Sequence, residues 1–379
     1  MKQAKQYVLF ASLLALAAHA CGNRETAEPD QPAASSSPGV APESPEPSEK
    51  PAALPDERTV FSIFAAGDVF LGARLAKYLK IKKLGLEHPF SRLREDIEKH
   101  DIAFANLESA ISTRGRHIWK KKYLFRMTPQ QAEGLKHSGL DVVSIANNHT
   151  TDFGEKALQD TIDALDAMSI AHVGAGKDIR AAAHPALITI GRVNVVFLAY
   201  NAFSSPLTDA TEDSAGSAPM VLDRVVEDIR KQKTPGSVVV VSAHWGVQHT
   251  QVPVKRQVRM ARAMIDAGAD VIVGHHSHCP QSIEVYKGKP IFYSLGNFVF
   301  GYLNPDMKQN LAAVVRFEGT GISAAEIFPV HGFPLINKHS PFLLKDEQAG
   351  EAVAQIVKIS KKFGTKIDFS GDRGIIKLK

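Results

Sequence analysis

Cysteine is almost absent from this chain: only Cys21 and Cys279 occur among 379 residues. With Cys21 assigned below to a terminal export segment, Cys279 has no partner, so the fold contains no disulfide and must hold by packing alone. No RNP-type motif, zinc-finger spacing or dense basic block is present, which argues against a nucleic-acid partner. The net charge of +5 and sequence pI near 9.0 form only a mild basic excess, compatible with acidic partners. No internal repeat is found. What is present is a large apolar share, 44% of residues against 22% charged, enough to bury a substantial core.

The first twenty-one residues stand apart. MKQAKQ carries two lysines, YVLFASLLALAAHA is too short to span a bilayer comfortably, and the small residues Ala18 and Ala20 precede Cys21. This pattern is that of an export signal. The cysteine followed by Gly22 resembles a bacterial lipobox, which implies cleavage and acylation of Cys21, with a membrane anchor in the cell envelope. His19 and Ala18 depart from the usual lipobox residues. Residues 22–58, rich in Pro, Ser, Ala and Glu with scarcely any large apolar side chain, cannot offset the entropy of ordering and read as an extended tether. A folded body over 59–340 and a C-terminal helix with a β-prone tail over 341–379 complete the division.

From Thr59 onward apolar β-type runs alternate with helical stretches. TPQQAEGLKHSG, GEKALQDTIDALDAMS, LDRVVEDIRKQ and VKRQVRMARAMIDAGA have helical spacing. LITI, VNVVFLAY, SVVVVSAHW, ADVIVGHH and PIFYSLGNFVF read as strands. The rhythm is βαβ, and the strand-rich stretch after Pro290 adds antiparallel strands to a parallel core. The expected fold class is a layered α/β body with mixed β-sheets flanked by helices.

Five of the strand-like runs end directly in a donor residue: FSIFAAGD in Asp68, DIAFANLE in Glu108, DVVSIANNH in Asn148 and His149, VVVVSAHWG with His244, and DVIVGHHSH with His276 and His278. In an α/β sheet the carboxyl ends of the strands share one edge, so these donors converge although the chain separates them. Singly each has a plainer explanation, as a turn cap, an ion-pair partner or a structural histidine. Together they point to a metal site.

GDVFLG, ANLESAIS, DVVSIANNHTTDFG, AHWG and DVIVGHHSHCPQSIEVYKGKPIFYSLGNFVF resemble the ordered motif series of the CapA/PgsA family, linked to capsule and poly-γ-glutamate synthesis. That resemblance implies a calcineurin-like metallophosphoesterase fold with α/β/β/α layers. It also implies two-metal chemistry, in which divalent ions about 3.5–4 Å apart clamp the oxygens of a reacting group. By motif position Asp68 would bind the first metal and Glu108 would bridge both. Asn148, His244 and His276 would complete the second, and His278 would return to the first. His149 would face the substrate and steady or protonate the leaving oxygen. The donors suit one or two ions of Mn, Fe, Zn or Mg. Such an enzyme would be a metal-dependent hydrolase acting on a phosphate-bearing substrate or an anionic envelope polymer, alongside polymer-synthase membrane proteins. The alternative is a non-catalytic assembly or export factor that binds the polymer in the same cleft, and a third reading has the site only stiffen the fold.

Three departures bear on that choice. Phe70 stands where metallophosphoesterases carry the histidine of Asp-x-His, Ser277 replaces a frequent proline, and Gln248-His249 replaces an acidic-aromatic pair. His275 matches no ligand and is expected on the opposite face. In TRGRHIWKKKYLFR, a loop with Arg114, Arg116, Lys120, Lys121, Lys122 and Trp119, positive charge would line the cleft, or simply be solvated. Arg126, within an FRMTP element similar to the family's FRxxP, is the substrate-binding candidate. Cys279, beside His278, reads as a small buried apolar residue rather than a soft ligand.

Overall fold

The computed structural model describes residues 6–7, 59–117, 121–302, 309–332 and 337–379. The export segment other than residues 6–7, the tether with Cys21, and the loop residues Trp119 and Lys120 lie outside the described residues. Among the described residues no helix is long and apolar enough to cross a membrane.

Two mixed sheets pack face to face. The first is built on β1 (Val60–Phe70), β2 (Ile102–Leu107), β3 (Val142–Ser144) and β4 (Ala171–Val173), all parallel. The second carries β5 (Ala186–Ile190), β6 (Val193–Asn201), β7 (Ser237–His244) and β8 (Val271–His275), with β6 to β8 parallel and β5 antiparallel to β6. Gln6–Tyr7 pairs antiparallel with β5. The hairpin of β9 (Ile283–Tyr286) and β10 (Lys289–Phe292) follows, with β10 parallel to β8. The chain then crosses to the first sheet, where β11 (Asn297–Phe300) pairs parallel with β1 and β12 (Gln309–Glu318) pairs antiparallel with it. Outward from β12 lie β13 (Gly321–His331), β15 (Arg373–Ile376) and β14 (Ile367–Ser370).

Two-residue alternation explains the layers. Phe61, Ile63 and Ala65 of β1 point into the inter-sheet core with Val238 and Val240 of β7. Phe64 and Ala66 point outward and join Leu75 and Leu79 of α1 (Ala73–Lys82) and Leu158 and Leu165 of α2 (Glu155–Ala167). Val239 and Val241 meet α3 (Leu222–Gln232) and α4 (Lys255–Ala267) on the other outer face. Both faces of these strands are covered, which is why they read as continuous apolar runs. In α4 the buried Gln257, Met260, Ala261, Met264 and Ile265 follow helical spacing. The four layers are α/β/β/α, and α5 (Asp346–Ser360) adds Val353 and Ile356 to the inner layer beside Ile367 and Ile376.

Some details depart from the sequence reading. TPQQAEGLKHSG forms a short helix, Pro129–Ala132, started by a Thr128–Gln131 capping box and continued as the 3-10 turn Glu133–His137. Helix α1 has no counterpart in that reading: its N-cap, Gly72, offers no side-chain bond and its first turn has no acid, so the usual start signals are missing.

Register sets the site. Asn297, Asp68, Asn106 and Ser144 form one row across the first sheet, and Asn201, His244 and His275 form another across the second. A register shift between Ala65 and Asp68 marks the strand end. There the Asp68 N–H donates to the Gly296 carbonyl at 2.9 Å. A Cβ on Gly67 would collide with that same carbonyl, so only glycine admits this approach.

Candidate metal centre

The five donor-bearing strand ends meet at one edge, where the carboxyl ends of β1, β2 and β3 face those of β7 and β8. Two groups of potential ligands form there, Asp68–Glu108–His278 and Glu108–His244–His276, with the ligand atoms of each within 4.8 Å of one another. Glu108 belongs to both. Its carboxylate is 0% exposed, and neither oxygen has a hydrogen-bond partner. A buried, unsatisfied carboxylate costs stability unless a cation meets it. Three imidazole nitrogens face its Oε1: Nε2 of His149 at 3.7 Å, of His244 at 3.7 Å and of His278 at 3.8 Å.

Charge is divided unequally between the two carboxylates. Burial and the neighbouring Asp68 charge push the Glu108 carboxyl well above its usual range. Burial also opposes ionisation of Asp68, but His275, His278 and the Asn106 amide hold its carboxyl below the usual value. Asp68 Oδ1 accepts from Asn106 Nδ2 at 2.8 Å and lies 3.2 Å from His275 Nδ1. Oδ2 faces His278 Nδ1 at 3.5 Å.

The histidines are poised as neutral donors. Burial, with His276 and other imidazoles beside it, drives His244 well below its usual value, and burial with His278 nearby takes His276 down to about 3. His278 is lowered by burial as well. Neutral imidazole is the form that binds metal. His276 Nδ1 and His244 Nε2 stand 3.1 Å apart, and Asn148 Oδ1 is 2.8 Å from that same His244 nitrogen. His276 and His278 leave β8 with φ of +87° and +54°, a backbone region costly for residues other than glycine. Such strain turns two histidines at i and i+2 into one site. With His278 Nδ1–H donating to Asn297 Oδ1 at 2.9 Å, Nε2 is left free toward Glu108.

His149 forms a separate arm. Its ring stacks on Phe125 at 3.7 Å, and Nδ1 bonds Asp152 Oδ2 at 2.7 Å. Asp152, itself 0% exposed, also receives Lys121 Nζ at 2.6 Å and the Phe125 amide at 2.8 Å. The Lys121 ammonium donates at 2.5 Å to the Asn148 carbonyl, tying the basic loop to this turn. Burial lowers His149 to about 4. Nε2 is the ring atom left open toward the cluster.

The structure therefore brings together Asp68, Glu108, Asn148, His149, His244, His276 and His278. Arg126 is placed differently from the sequence expectation: its guanidinium packs 3.4 Å over Phe153 and donates to the Arg114 and Gly115 carbonyls at 2.9 and 3.2 Å. Those contacts brace the loop and are not made to the cluster. His275 is not on the expected opposite face: it shares the inter-sheet face of Val271 and Val273, level with His244. That face runs directly beneath the site, so it still reaches Asp68. Phe70 lies in an aromatic group with Phe125 at 4.8 Å and Phe300 at 5.6 Å. Cys279 is buried, and Ser277 Oγ donates to its carbonyl at 2.6 Å.

Sequence reasoning missed Asn106, Asp152, Asn297 and Phe203. Asn106 reaches Asp68 from one group and lies 3.4 Å from His244 Nδ1 of the other, while its Oδ1 accepts from Asn147 Nδ2 at 3.2 Å. The available signal was a polar residue inside the apolar run DIAFANLE. Phe203 stands over the outer face of the centre, its ring centroid 3.9 Å from that of His276.

Fold and site thus define an α/β/β/α protein with a buried carboxylate–histidine cluster suited to divalent metal. Residues 62–302 match the family model described as bacterial capsule synthesis protein PGA_cap, and the chain belongs to that family. It is 30% identical to the capsule biosynthesis protein CapA of Bacillus anthracis over 282 residues, spanning 73% of this chain and 68% of the relative. A probable polyglutamine synthesis accessory protein of Mycobacterium tuberculosis is 36% identical over 213 residues, of which the match covers 53% of this chain and 56% of the relative. The structure is also similar, with a TM-score of 0.45 and 11% identity, to a 5'-nucleotidase precursor from Thermus thermophilus, covering 81% of this chain and 60% of that one.

Proposed function

We propose that this chain is an envelope accessory protein of anionic capsule-polymer synthesis that acts as a metal-dependent hydrolase. Export and a lipid on Cys21 would hold it at a membrane. The observation that carries this reading is Glu108, buried with both oxygens unpartnered and shared by two ligand groups. The residues fit a divalent pair: Asp68, Glu108 and His278 for one ion, and Glu108, His244, His276 and Asn148 for the other. Divalent ions so held supply Lewis acidity toward a phosphoryl or carbonyl oxygen and lower the pKa of water.

The chain's own groups do the rest. Asp152 holds His149 Nδ1–H, leaving Nε2 open to carry a proton to or from a leaving atom. Asn148, more exposed than the histidines, marks the side from which substrate approaches. Asn106 and Asn297 fix the orientation of Asp68 and His278.

Phe70 favours a second reading, a binding-only assembly factor, because the Asp68 group lacks the imidazole that a phosphoesterase has there. Elemental analysis of the full chain and its His276→Ala variant separates the two, combined with phosphodiester and γ-glutamyl hydrolysis under added Mn, Fe, Zn or Mg. Close to two ions per chain with His276-dependent turnover is expected. Polymer binding without turnover at any metal would establish the binding factor instead.

A further inference from the structure

Helix α1 and the turn after it, residues 73–86, carry Arg74, Lys77, Lys80, Lys82 and Lys83 and no acid; the first acid beyond them is Glu87. All of these cations are exposed, and among the described residues none enters an ion pair or a side-chain hydrogen bond. Spacings of three and four place Arg74, Lys77 and Ile81 on one face of the helix, with Lys80 beside them. Leu75 and Leu79 hold the opposite face to the core. Ile81 is therefore 64% exposed among the lysines, and Leu84, just past the helix, is 36% exposed. Neighbouring cations without counter-charge repel each other and favour an anionic partner.

A cavity of about 370 Å³ adjoins this face, walled by Leu71, Leu75, Leu79, Leu84 and Leu86; its polar residues are Lys80, Gln130 and Gln131, so no acid lines it. Lys80 and Leu84 belong to the cavity and are themselves exposed, which makes cavity and basic face continuous. An isoleucine exposed among unpaired cations, next to a leucine-walled cavity, matches a partner that is anionic at its surface and apolar just beneath. An anionic lipid bilayer has that order of layers. A soluble anionic polymer would meet the cations but leave Ile81 and the leucines in water. The lipid proposed on Cys21 would bring the chain to such a surface without orienting it, because residues 22–58 lie between anchor and body and can extend to about 120–130 Å.

We propose that the exposed face of α1, with Leu84 and the adjoining cavity, docks the folded body on an anionic lipid bilayer. The inference rests on the envelope reading and adds an orientation to it: α1 opens just past the strand end that bears Asp68, so docking holds the metal-bearing edge near the lipid. The test measures co-sedimentation of the full chain, carrying Cys21→Ser to remove the acylation site, with vesicles of equal parts phosphatidylcholine and phosphatidylglycerol and with phosphatidylcholine alone. Residues 1–20 are common to every sample, so differences between variants read α1. Lys77→Gln/Lys80→Gln should partition about 10- to 30-fold more weakly to the anionic vesicles at low salt, with a shallower salt dependence and unchanged Tm. Ile81→Gln keeps every charge and should lower partitioning about three- to tenfold with the salt slope unchanged. Lys255→Gln/Arg259→Gln removes the same charge from α4 on the other outer layer and should match the parent chain. Parent-like partitioning of the α1 double variant, equal loss in the α4 control, or α1-dependent binding of soluble poly-γ-glutamate without vesicle binding overturns the docking face. The anchor is tested separately, by the mass of Cys21 in the natural chain. An unmodified Cys21 beside α1-dependent partitioning rejects only the anchor, and an acylated Cys21 beside insensitive α1 variants rejects only the face.

Discussion

Replacing Glu108 by Gln gives the most discriminating perturbation, because metal-free and metal-loaded protein should respond with opposite signs. Without metal, burial and Asp68 push the Glu108 carboxyl well above its usual range. A folded value raised above the unfolded one means that the stability contributed at this site falls as pH rises above the ordinary carboxyl range. Leaving a buried carboxyl without hydrogen-bond partners costs about 1–3 kcal/mol. Gln has nearly the same volume, no charge, and an amide that can face the His149, His244 and His278 nitrogens at 3.7 to 3.8 Å. Allowing for imperfect geometry, Glu108→Gln should stabilise the chelated protein by about 1–3 kcal/mol at pH 7, shrinking toward zero near pH 4. Added divalent metal at a thousandfold excess over its Kd should stabilise wild type by about 4.1 kcal/mol and the variant hardly at all, reversing the order. Urea titrations in chelator and in metal, at pH 7 and pH 5, measure all of this. A variant less stable than wild type in chelator would refute the argument that Glu108 is held there for a cation.

Other substitutions test separate links. Asn106→Ala should cost about 1–3 kcal/mol from the lost bonds to Asp68 and Asn147 and weaken metal binding about 10- to 100-fold, read by thermal melts and metal titration; unchanged metal affinity would deny it an orienting role. Gly67→Ala should unfold the protein or cost several kcal/mol, since the new Cβ meets the Gly296 carbonyl; a wild-type Tm would contradict the close approach. His100, lowered to about 4 by burial and the Arg316 charge, binds its proton more readily unfolded. Stability should therefore fall as pH drops from about 6.5 to 4, and His100→Gln should flatten that part of the urea-midpoint profile if the assignment holds.

The residues that converge were legible because strand ends are written locally: an apolar run followed at once by Asp68, Glu108, Asn148, His244 or His276 needs only the sheet rule to meet. Their supports were not, because they depend on pairing between distant strands. Asn106 lies opposite Asp68, and Asn297 lies on its other side, only through the β1 register with β2 and β11. His275 shows the limit of alternation used alone. The register sets it level with His244 on the inter-sheet face, so a residue expected on the opposite face lies against the ligand Asp68. Arg126, chosen by motif likeness, packs on Phe153 and donates to two loop carbonyls while its buried Nε keeps no partner, contacts that no local pattern foretells. Phe70 joins these observations. It stacks on Phe125, which stacks on His149, so on the proposed hydrolase reading the residue that stands in place of a first-metal imidazole also packs the ring behind the proposed proton-carrying histidine. A substitution that weakens one ion's hold can thereby stiffen the arm that faces substrate. On the proposed reading this coupling makes metal occupancy and turnover separable quantities, to be measured together.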